Sequence, residues 1–357
     1  MTWTKEKREL LKAYVLQGLS LRDIASAMDM TYSQVEVAIR RYNIRQEAFK
    51  VHSTKRVKNI DIAKGMIETL KETLSVTAPY TATKENKADI KGDTLVIQLT
   101  DLHAGKEVRD QEGNVIYDQH IFRKRIDKLC SQILKLLDKN ISKGVPINEA
   151  VILATGDECN GEGIYATQQF EQELAPPAQV MLVVEVLKKL ILALRERKLP
   201  VSFYGVRGNH GRTGKDTDLA SNWDLMVYMI LDLWARDVVK DSKLTIKYAE
   251  TEHMRIDIRG HGYLIRHIAP EQVDSPAGRV KINEWARRHD VGAIVYGHYH
   301  HAGIFDCDNV RVFRGGSTVG GDSLSESMGK HSEPLQLVWG VNDQRVSTFI
   351  YLVDLND

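Results

Sequence analysis

Short apolar runs rich in β-branched residues recur along most of the chain, and they constrain its fold more than any other feature. TLVIQLT, AVILAT, VSFYGVR and GAIVYG are apolar without alternation, as expected of strands covered on both faces. The amphipathic segments between them, IFRKRIDKLCSQILKLLDK and QVMLVVEVLKKLILALRER, predict helices. Later runs with strand character and few helices between them are LTIKYAE, MRIDIRG, GYLIRHIA, VRVFRGG and VSTFIYLVDL. We therefore expect an α/β sandwich of partly mixed strand direction from Asp93 onwards.

Polar side chains of the kinds that bind metal ions follow these buried runs or lie within them. Because ligands gather at the carboxyl ends of strands in open α/β sheets, these side chains should converge on one edge. Each short motif alone is common, and a single histidine in a strand is more often a core residue, so the inference depends on the ordered series. Its members are Asp101, His103, Asp157, Asn209, His210, His267, His298 and His300.

The order DxH, GD, GNH, strand histidine and GHxH resembles the signature of the calcineurin-like metallophosphoesterases, over roughly residues 93–353. The resemblance implies a four-layer αββα sandwich and a metal-dependent phosphodiesterase, with a DNA nuclease as the first expectation. The alternative is a phosphatase or small-nucleotide phosphodiesterase. The segment NGEGIY after the GD motif, together with the N-terminal head, is similar to phage-encoded members related to DNA-repair exonucleases.

The same resemblance implies two divalent ions roughly 3.5–4 Å apart, which clamp the attacking and leaving oxygens of a phosphate ester. A water bridging the ions would attack phosphorus, and His210 would protonate the leaving oxygen or stabilise the transition state. Manganese is the expected metal, with iron, zinc or magnesium as alternatives. One ion would be held by Asp101, His103, Asp157 and His300, and the other by Asp157, Asn209, His267 and His298.

One position departs from the family pattern. Asp or Glu usually follows the GNH histidine and orients it, but this chain has Gly211. Either another acid supports His210, with Asp216, Asp218 and Asp224 as the candidates, or His210 is poorly oriented and turnover is slow.

Several neighbouring residues have two interpretations. His267 is preferred to His261 as the metal ligand of the strand, because His261 follows a glycine in a predicted turn. His301 is expected to be exposed or to support the ligands. Cys159 is expected to pack rather than to bind metal. Lys106 and Arg212 could hold phosphate oxygens or could equally be ordinary surface cations.

The first 50 residues predict three short helices. KEKRELLKAYVLQG has apolar residues at helical spacing and Gly18 at its end, and Ser20 is a suitable N-cap for a helix over Leu21 to Met28. Thr31 or Ser33 would cap a third helix. The stretch resembles the helix-turn-helix of recombinases and transcription regulators, with Asp29 where most such motifs have glycine.

The charge of this head differs from that of the remaining chain. Residues 1–58 contain twelve Lys/Arg against six Asp/Glu, and the rest contains 37 against 42. A basic head suggests a polyanionic partner, and the resemblance implies that the third helix enters the major groove of DNA. The expected contacts are Ser33, Gln34, Arg40 and Arg41. The alternative is that these helices form a small module for oligomerisation or docking. A homo-oligomer is therefore a second expectation.

We expect a DNA-binding domain at 1–50, a connector at 51–92 with one helix over Asp61 to Leu74, and a catalytic domain at 93–357. The three cysteines lie far apart without a CxxC pair, as is usual for proteins of a reducing cytoplasm. We therefore expect a cytoplasmic location, in the host cell if the chain is phage-encoded. No apolar run is long enough to span a membrane, so no membrane association is expected.

Overall fold

The computed structural model describes residues 4–16, 21–42, 92–110, 112–142, 144–165, 168–218, 220–321 and 332–356. The chain divides into two units, Met1–Ala78 and Pro79–Asp357. The helix end expected at Gly18, the Ser20 cap and the connector with its helix lie outside the described residues. The three expected domain limits therefore stay a prediction.

The described residues of the N-terminal unit form three helices, α1 (Lys5–Leu16), α2 (Leu21–Ala27) and α3 (Tyr32–Arg41). Their apolar faces are buried against one another, while Leu10 remains exposed. Asp29, between α2 and α3, has the left-handed φ of 52° that a glycine would adopt there without strain. The small core consists of Leu11, Ile24, Ala25, Val35, Ala38 and Ile39.

Helix α3 begins with a capping box. The hydroxyl of Thr31 accepts a hydrogen bond from the backbone N–H of Gln34 at 3.3 Å, and the Gln34 side chain accepts one from the N–H of Thr31 at 2.9 Å. Of the two caps considered, Thr31 therefore fills the position and Ser33 lies inside the helix.

The larger unit contains a six-stranded sheet. Its strands are β1 (Asp93–Leu99), β4 (Ile147–Ala154), β5 (Val201–Val206), β6 (Leu244–Ala249), β12 (Leu335–Val341) and β13 (Ile350–Asp354). They are arranged in the order β13-β12-β1-β4-β5-β6. Strands β1, β4, β5 and β6 are parallel, and β12 and β13 run antiparallel to their neighbours.

A second sheet has five strands, β7 (His253–Ile258), β8 (His261–Arg266), β9 (Ala293–Tyr296), β10 (Gly303–Cys307) and β11 (Val310–Arg314). Their order is β10-β11-β9-β8-β7, with β8, β9 and β11 parallel and both outer strands antiparallel. A two-stranded ribbon is formed by β2 (Val108–Arg109) and β3 (Val115–Tyr117).

Helices cover the outer faces of both sheets. The first sheet contacts α4 (Gln119–Ser142), α5 (Pro176–Glu196) and α6 (Trp223–Leu233), which continues as a π-helix over Trp234–Val239. The second sheet packs on α7 (Pro276–His289). A 3-10 turn spans Gln168–Phe170. The main core lies between the two sheets, where Phe313 of β11 stacks on Trp339 of β12 at 4.3 Å between ring centroids. This is the expected four-layer αββα sandwich.

All nine apolar runs expected to be strands are strands, and both long amphipathic segments are helices. Strands β2, β3, β10 and β12 and helices α6 and α7 were not predicted. Among the described residues, no helix combines the length and apolar character needed to cross a bilayer.

Candidate metal centre

The polar residues that follow the buried strands come together in space. Asp101 and His103 follow β1 and Asp157 follows β4, while His267 comes directly after β8. Ligand-type atoms of these and neighbouring residues form three groups, within each of which all the atoms lie within 4.8 Å of one another. The groups are Asp101 with His103 and His300, His103 with Asp157 and His210, and Asp157 with His267 and His298.

In the first group, three ligand atoms face one another. Oδ1 of Asp101 lies 3.5 Å from Nε2 of His300 and 3.9 Å from Nε2 of His103, and the two nitrogens are 3.0 Å apart. Because such atoms bind a divalent ion at about 2.0–2.2 Å, neighbouring ligands of one ion lie roughly 3–3.5 Å apart. The three atoms are close to that spacing.

The other carboxylate oxygen of Asp101 is fixed by the protein. It accepts hydrogen bonds from the hydroxyl of Thr100 at 2.7 Å and from the backbone N–H of His298 at 2.8 Å. The first and last motifs of the series are thus joined directly, and Oδ1 stays directed at the two imidazoles.

In the third group, Oδ2 of Asp157 lies 3.0 Å from Nε2 of His267. Nδ1 of His267 lies 2.8 Å from the carbonyl oxygen of Thr155, an arrangement in which Nδ1 carries the proton and Nε2 can serve as a ligand. The ring of His298 is 5.1 Å from that of His267.

The remaining group connects the other two, since it shares His103 with one and Asp157 with the other. His210 lies here, with its ring 4.6 Å from that of His103 and its backbone N–H donating to Oδ1 of Asp157 at 2.7 Å. The residue expected to act in chemistry therefore lies between the two ligand groups.

Several buried polar atoms of the site have no hydrogen-bond partner within the part of the chain that the structure describes. Buried polar atoms are normally hydrogen bonded, so a set of exceptions in one place needs an explanation. Lone pairs kept free of protons are what metal ligation requires, and the residues therefore fit divalent ions. The atoms that carry this argument are the oxygens Oδ1 of Asp101 and Oδ1 of Asn209, and the nitrogens without a partner are Nδ1 of His103 and Nδ1 of His210.

The backbone at the site is strained. Five of the seven residues expected to bind metal have left-handed φ angles, which cost a non-glycine residue roughly 1–2 kcal/mol each. Such strain persists where the surrounding structure enforces it, commonly at functional sites. The five are Asp101 (51°), His103 (44°), Asp157 (56°), His298 (77°) and His300 (60°).

Burial sets the protonation of most of the imidazoles. It lowers the pKa of His103 well below its ordinary value, that of His210 to about 4, and also that of His298. At neutral pH these rings are uncharged, which is the form that binds metal.

His267 is the exception. Burial disfavours its charge, but the Asp157 carboxylate outweighs burial and raises the pKa of His267 to about 10. In turn, His267 and His210 hold the pKa of Asp157 well below its usual range against the effect of burial. The two groups form an ion pair that an entering cation would have to replace.

The family model described as calcineurin-like phosphoesterase matches residues 94–302. The chain belongs to the calcineurin-like phosphoesterase family. Membership identifies it as a metal-dependent phosphoesterase, and the His/Asp groups above are its candidate metal ligands.

Several solved structures are similar to this chain at low sequence identity. Vps29 of Entamoeba histolytica, in complex with zinc, is 15% identical over 73% of this chain and 99% of its own, with a TM-score of 0.33. A novel archaeal phosphodiesterase is 10% identical over 72% and 99%, with a TM-score of 0.32. An uncharacterized predicted phosphoesterase of Streptococcus pneumoniae is 12% identical over 71% and 85%, with a TM-score of 0.29. None of the curated proteins matches the chain.

Gly211, which departs from the phosphoesterase pattern, lies close to the buried acid Asp224. A Cβ at this position would lie 2.6 Å from Oδ1 of Asn222 and 3.3 Å from Cγ of Asp224. The buried Asp224 carboxylate accepts backbone N–H groups from Asp157 at 3.0 Å, Cys159 at 3.0 Å and Gly208 at 2.9 Å. It therefore binds the GD loop to the GNH loop.

None of the three acids considered for His210 hydrogen bonds to its ring. Asp216 and Asp218 are exposed, Asp224 holds backbone groups, and Nδ1 of His210 has no partner among the described residues. Asp224 therefore does not replace the missing acid as a partner of the His210 ring, because its carboxylate is already hydrogen bonded to backbone N–H groups of the GD and GNH loops.

Other residues considered from the sequence have separate contacts. Nε2 of His261 lies 2.8 Å from the carbonyl of Asn342, and neither His261 nor His301 belongs to the ligand groups. The Lys106 ammonium lies 3.6 Å from Glu171, and Nε of Arg212 donates to the carbonyl of Asn209 at 3.1 Å. Their contact with phosphate stays a prediction.

The residues expected to contact DNA lie on α3 of the N-terminal unit. Ser33, Gln34 and Arg41 are exposed, and Arg40 lies in the same helix. The Gln34 side-chain oxygen already accepts the capping bond from Thr31, so a base contact through that oxygen would compete with the cap.

Sequence reasoning missed three residues that shape the centre. Thr100 orients Asp101, Gln336 of β12 bonds both backbone groups of Thr100, and Tyr165 contacts Asn209 and His210. Thr100 precedes the DxH motif and Tyr165 ends the NGEGIY segment, which were the available signals. Gln336 had none.

Proposed function

We propose that this phosphoesterase is a two-metal DNA nuclease. The proposal depends on the three overlapping ligand groups. The middle group shares His103 with the first group and Asp157 with the third. Such an arrangement suits two neighbouring ions with Asp157 between them. We assign Asp101, His103, Asp157 and His300 to one ion, and Asp157, Asn209, His267 and His298 to the other.

Two divalent ions, when bound, supply charge neutralisation at phosphate and an acidified water as nucleophile. The protein's part is to hold the ligand oxygens and nitrogens in place. Thr100 and the His298 N–H restrain Asp101, and Asp224 restrains the backbone of Asp157. Because these restraints exist before substrate binds, little reorganisation is needed when charge develops on phosphorus.

His210 is proposed to stabilise the departing oxygen. Burial lowers its pKa to about 4, so the free protein presents a neutral imidazole at pH 7. A neutral ring donates one N–H hydrogen bond, which suits a developing oxyanion. Full proton transfer would require a bound phosphate to raise that pKa first.

DNA is the proposed substrate because of the N-terminal unit. It combines three short helices, a left-handed turn at Asp29 and a basic balance over residues 1–58. Binding through this unit would hold phosphodiesters near the metal centre and raise their effective concentration. We also propose a cytoplasmic location and a phage-type origin. Three free, buried cysteines support the cytoplasmic location.

A metal-by-substrate matrix tests the proposal. Purified chain, stripped of metal, would receive Mn²⁺, Mg²⁺, Zn²⁺ or Ni²⁺ and be assayed on labelled single- and double-stranded DNA, RNA, a chromogenic diester and a monoester. We expect Mn²⁺-dependent cleavage of DNA and of the diester, with slow monoester hydrolysis. Preferred hydrolysis of the monoester, or of small nucleotides over DNA, would replace the nuclease by a phosphatase or small-nucleotide phosphodiesterase.

A further inference from the structure

The segment NGEGIY, residues 160–165, packs directly on the GNH loop. A Cβ on Gly161 would collide with the carbonyl oxygen of His210, so a glycine is required where the two backbones meet. Gly161 also has a left-handed φ of 68°, and its N–H donates to the side chain of Gln179 at 2.7 Å. The segment is thus held against the loop that carries Asn209 and His210.

Gln168 closes the segment into a fixed loop. Its side-chain oxygen accepts the N–H groups of Ile164 at 2.8 Å and Tyr165 at 3.2 Å. Its amide nitrogen donates to the carbonyl of Asn160 and, at 3.4 Å, to that of His210. Because Gln168 is only 3% exposed, these bonds are shielded from water and fix where Tyr165 lies relative to the GNH loop.

Tyr165 contacts two consecutive residues of that loop with different parts of its side chain. Its hydroxyl oxygen accepts a hydrogen bond from Nδ2 of Asn209 at 2.7 Å. Its ring lies 4.8 Å from the ring of His210, tilted by 41°. The Asn209 oxygen, Oδ1, is buried and has no hydrogen-bond partner in the described part of the chain.

An asparagine amide can present either its oxygen or its nitrogen to a neighbour, and only the oxygen binds a cation. A hydrogen bond from Nδ2 to a fixed acceptor decides between the two orientations. With Nδ2 directed at Tyr165, Oδ1 is the atom left for an ion.

We propose that Tyr165 is a positioning residue with two separable effects, an inference that rests on the proposed two-metal function. Its hydroxyl holds the Asn209 amide with the oxygen towards the second ion. Its ring supports His210 from the side, in a chain where Gly211 replaces the usual acid. The first effect concerns metal affinity and the second concerns turnover.

Two variants separate these effects. Tyr165→Phe removes the hydroxyl and keeps the ring, so one of two Mn²⁺ sites should weaken roughly 10- to 100-fold, as for other groups that orient a ligand. Turnover of a diester at saturating Mn²⁺ should fall less than in a variant that also loses the ring, because the ring contact with His210 remains. Tyr165→Leu removes both contacts, so turnover at saturating Mn²⁺ should also fall, by roughly tenfold or more.

The matched control is Tyr351→Phe, which removes a hydroxyl from the outer strand β13 of the first sheet. Mn²⁺ binding would be followed by isothermal titration calorimetry on the metal-free full chain, alongside steady-state hydrolysis of the chromogenic diester. The control should bind and turn over as wild type does, and circular dichroism would check folding of all variants.

The outcomes distinguish this inference from the function on which it rests. The inference is supported if the wild-type protein binds two Mn²⁺ ions and one of these sites is weaker in Tyr165→Phe. Wild-type binding of both ions by Tyr165→Phe overturns the role of Tyr165 and leaves the two-metal proposal standing. Wild type that binds fewer than two ions overturns both.

Discussion

The carboxylate of Asp224 accepts a hydrogen bond from the backbone N–H of Asp157, with 3.0 Å between nitrogen and oxygen. Asp157 has a left-handed φ of 56°, and it is the residue shared by the proposed ligand sets. The same carboxylate holds Cys159 and Gly208, so a single acid on α6 keeps two loops of the centre in register. Strain at Asp157 is therefore maintained by a neighbour that does not itself face the ligand groups.

Removing this acid should destabilise the fold. Asp224→Ala leaves three buried N–H groups without their acceptor, and each such group costs about 1–3 kcal/mol. We expect the free energy of unfolding to fall by at least about 2 kcal/mol, since part of that cost is offset by removing a buried charge. Urea denaturation measures it, with Asp237→Ala on the exposed side of the π-helix as control. An unchanged midpoint for Asp224→Ala would show that the loops do not depend on this carboxylate.

His210 should matter for turnover and not for metal binding. In His210→Ala both Mn²⁺ ions should remain, because the proposed ligand sets do not include this ring. Turnover of an unactivated diester should fall by roughly 10²–10⁴-fold, the range for groups that transfer or donate a proton. A diester with an activated leaving group should lose much less. Loss of an ion from the variant would instead make His210 a ligand, as its place in the middle group allows.

Metal binding should release a proton. The Asp157 carboxylate overcomes burial and raises the pKa of His267 to about 10 in the metal-free protein. An ion can use Nε2 of His267 only after its proton leaves, so affinity at that site should rise by about tenfold per pH unit between about pH 6 and 8. Calorimetry in buffers of different ionisation enthalpy counts the protons, with His261→Gln as control. Affinity that does not change over this range would exclude His267 as a ligand.

The N-terminal unit should contribute to the cleavage of long DNA but not to the hydrolysis of a small diester. A chain lacking residues 1–60 should hydrolyse the chromogenic diester within about twofold of wild type but act more weakly on long DNA. Binding of DNA by the full chain should fall steeply with salt, because phosphate contacts release counterions. Arg41→Glu, on the exposed face of α3, should weaken binding as well, whereas Lys5→Glu on α1 serves as its control. Equal action on long DNA at every salt concentration would make the unit an assembly or docking module.

Much of the fold and the centre could be predicted from local patterns. Continuous apolar runs identified β1, β4, β5 and β9, and the polar residues directly after them brought Asp101, Asp157 and His298 into one place. The carboxyl ends of the parallel strands β1 and β4 share one edge of the first sheet, as expected. His298 follows β9 of the second sheet and reaches the same place, where its N–H donates to Asp101.

What could not be predicted depends on contacts that are distant in sequence. Gln336 of β12 bonds the backbone of Thr100, 236 residues away, and no local pattern indicates that pairing. Asp224 was considered as a support for His210, but its actual partners are three backbone N–H groups that have no sequence signature. The left-handed φ angles at the ligands were equally hidden, since they result from the folded surroundings rather than from the residue types.

The most direct test of the proposed two-metal centre is metal content and diester turnover of Asp157→Ala beside wild type, both loaded with Mn²⁺ and freed of excess ion. Asp157→Asn serves as the isosteric variant, and Asp257→Ala on the exposed side of β7 is the control. We predict two ions per wild-type chain, at most one in Asp157→Ala, and loss of nearly all diester hydrolysis in that variant. Full occupancy by two ions in Asp157→Ala would contradict the assignment of Asp157 as the shared ligand.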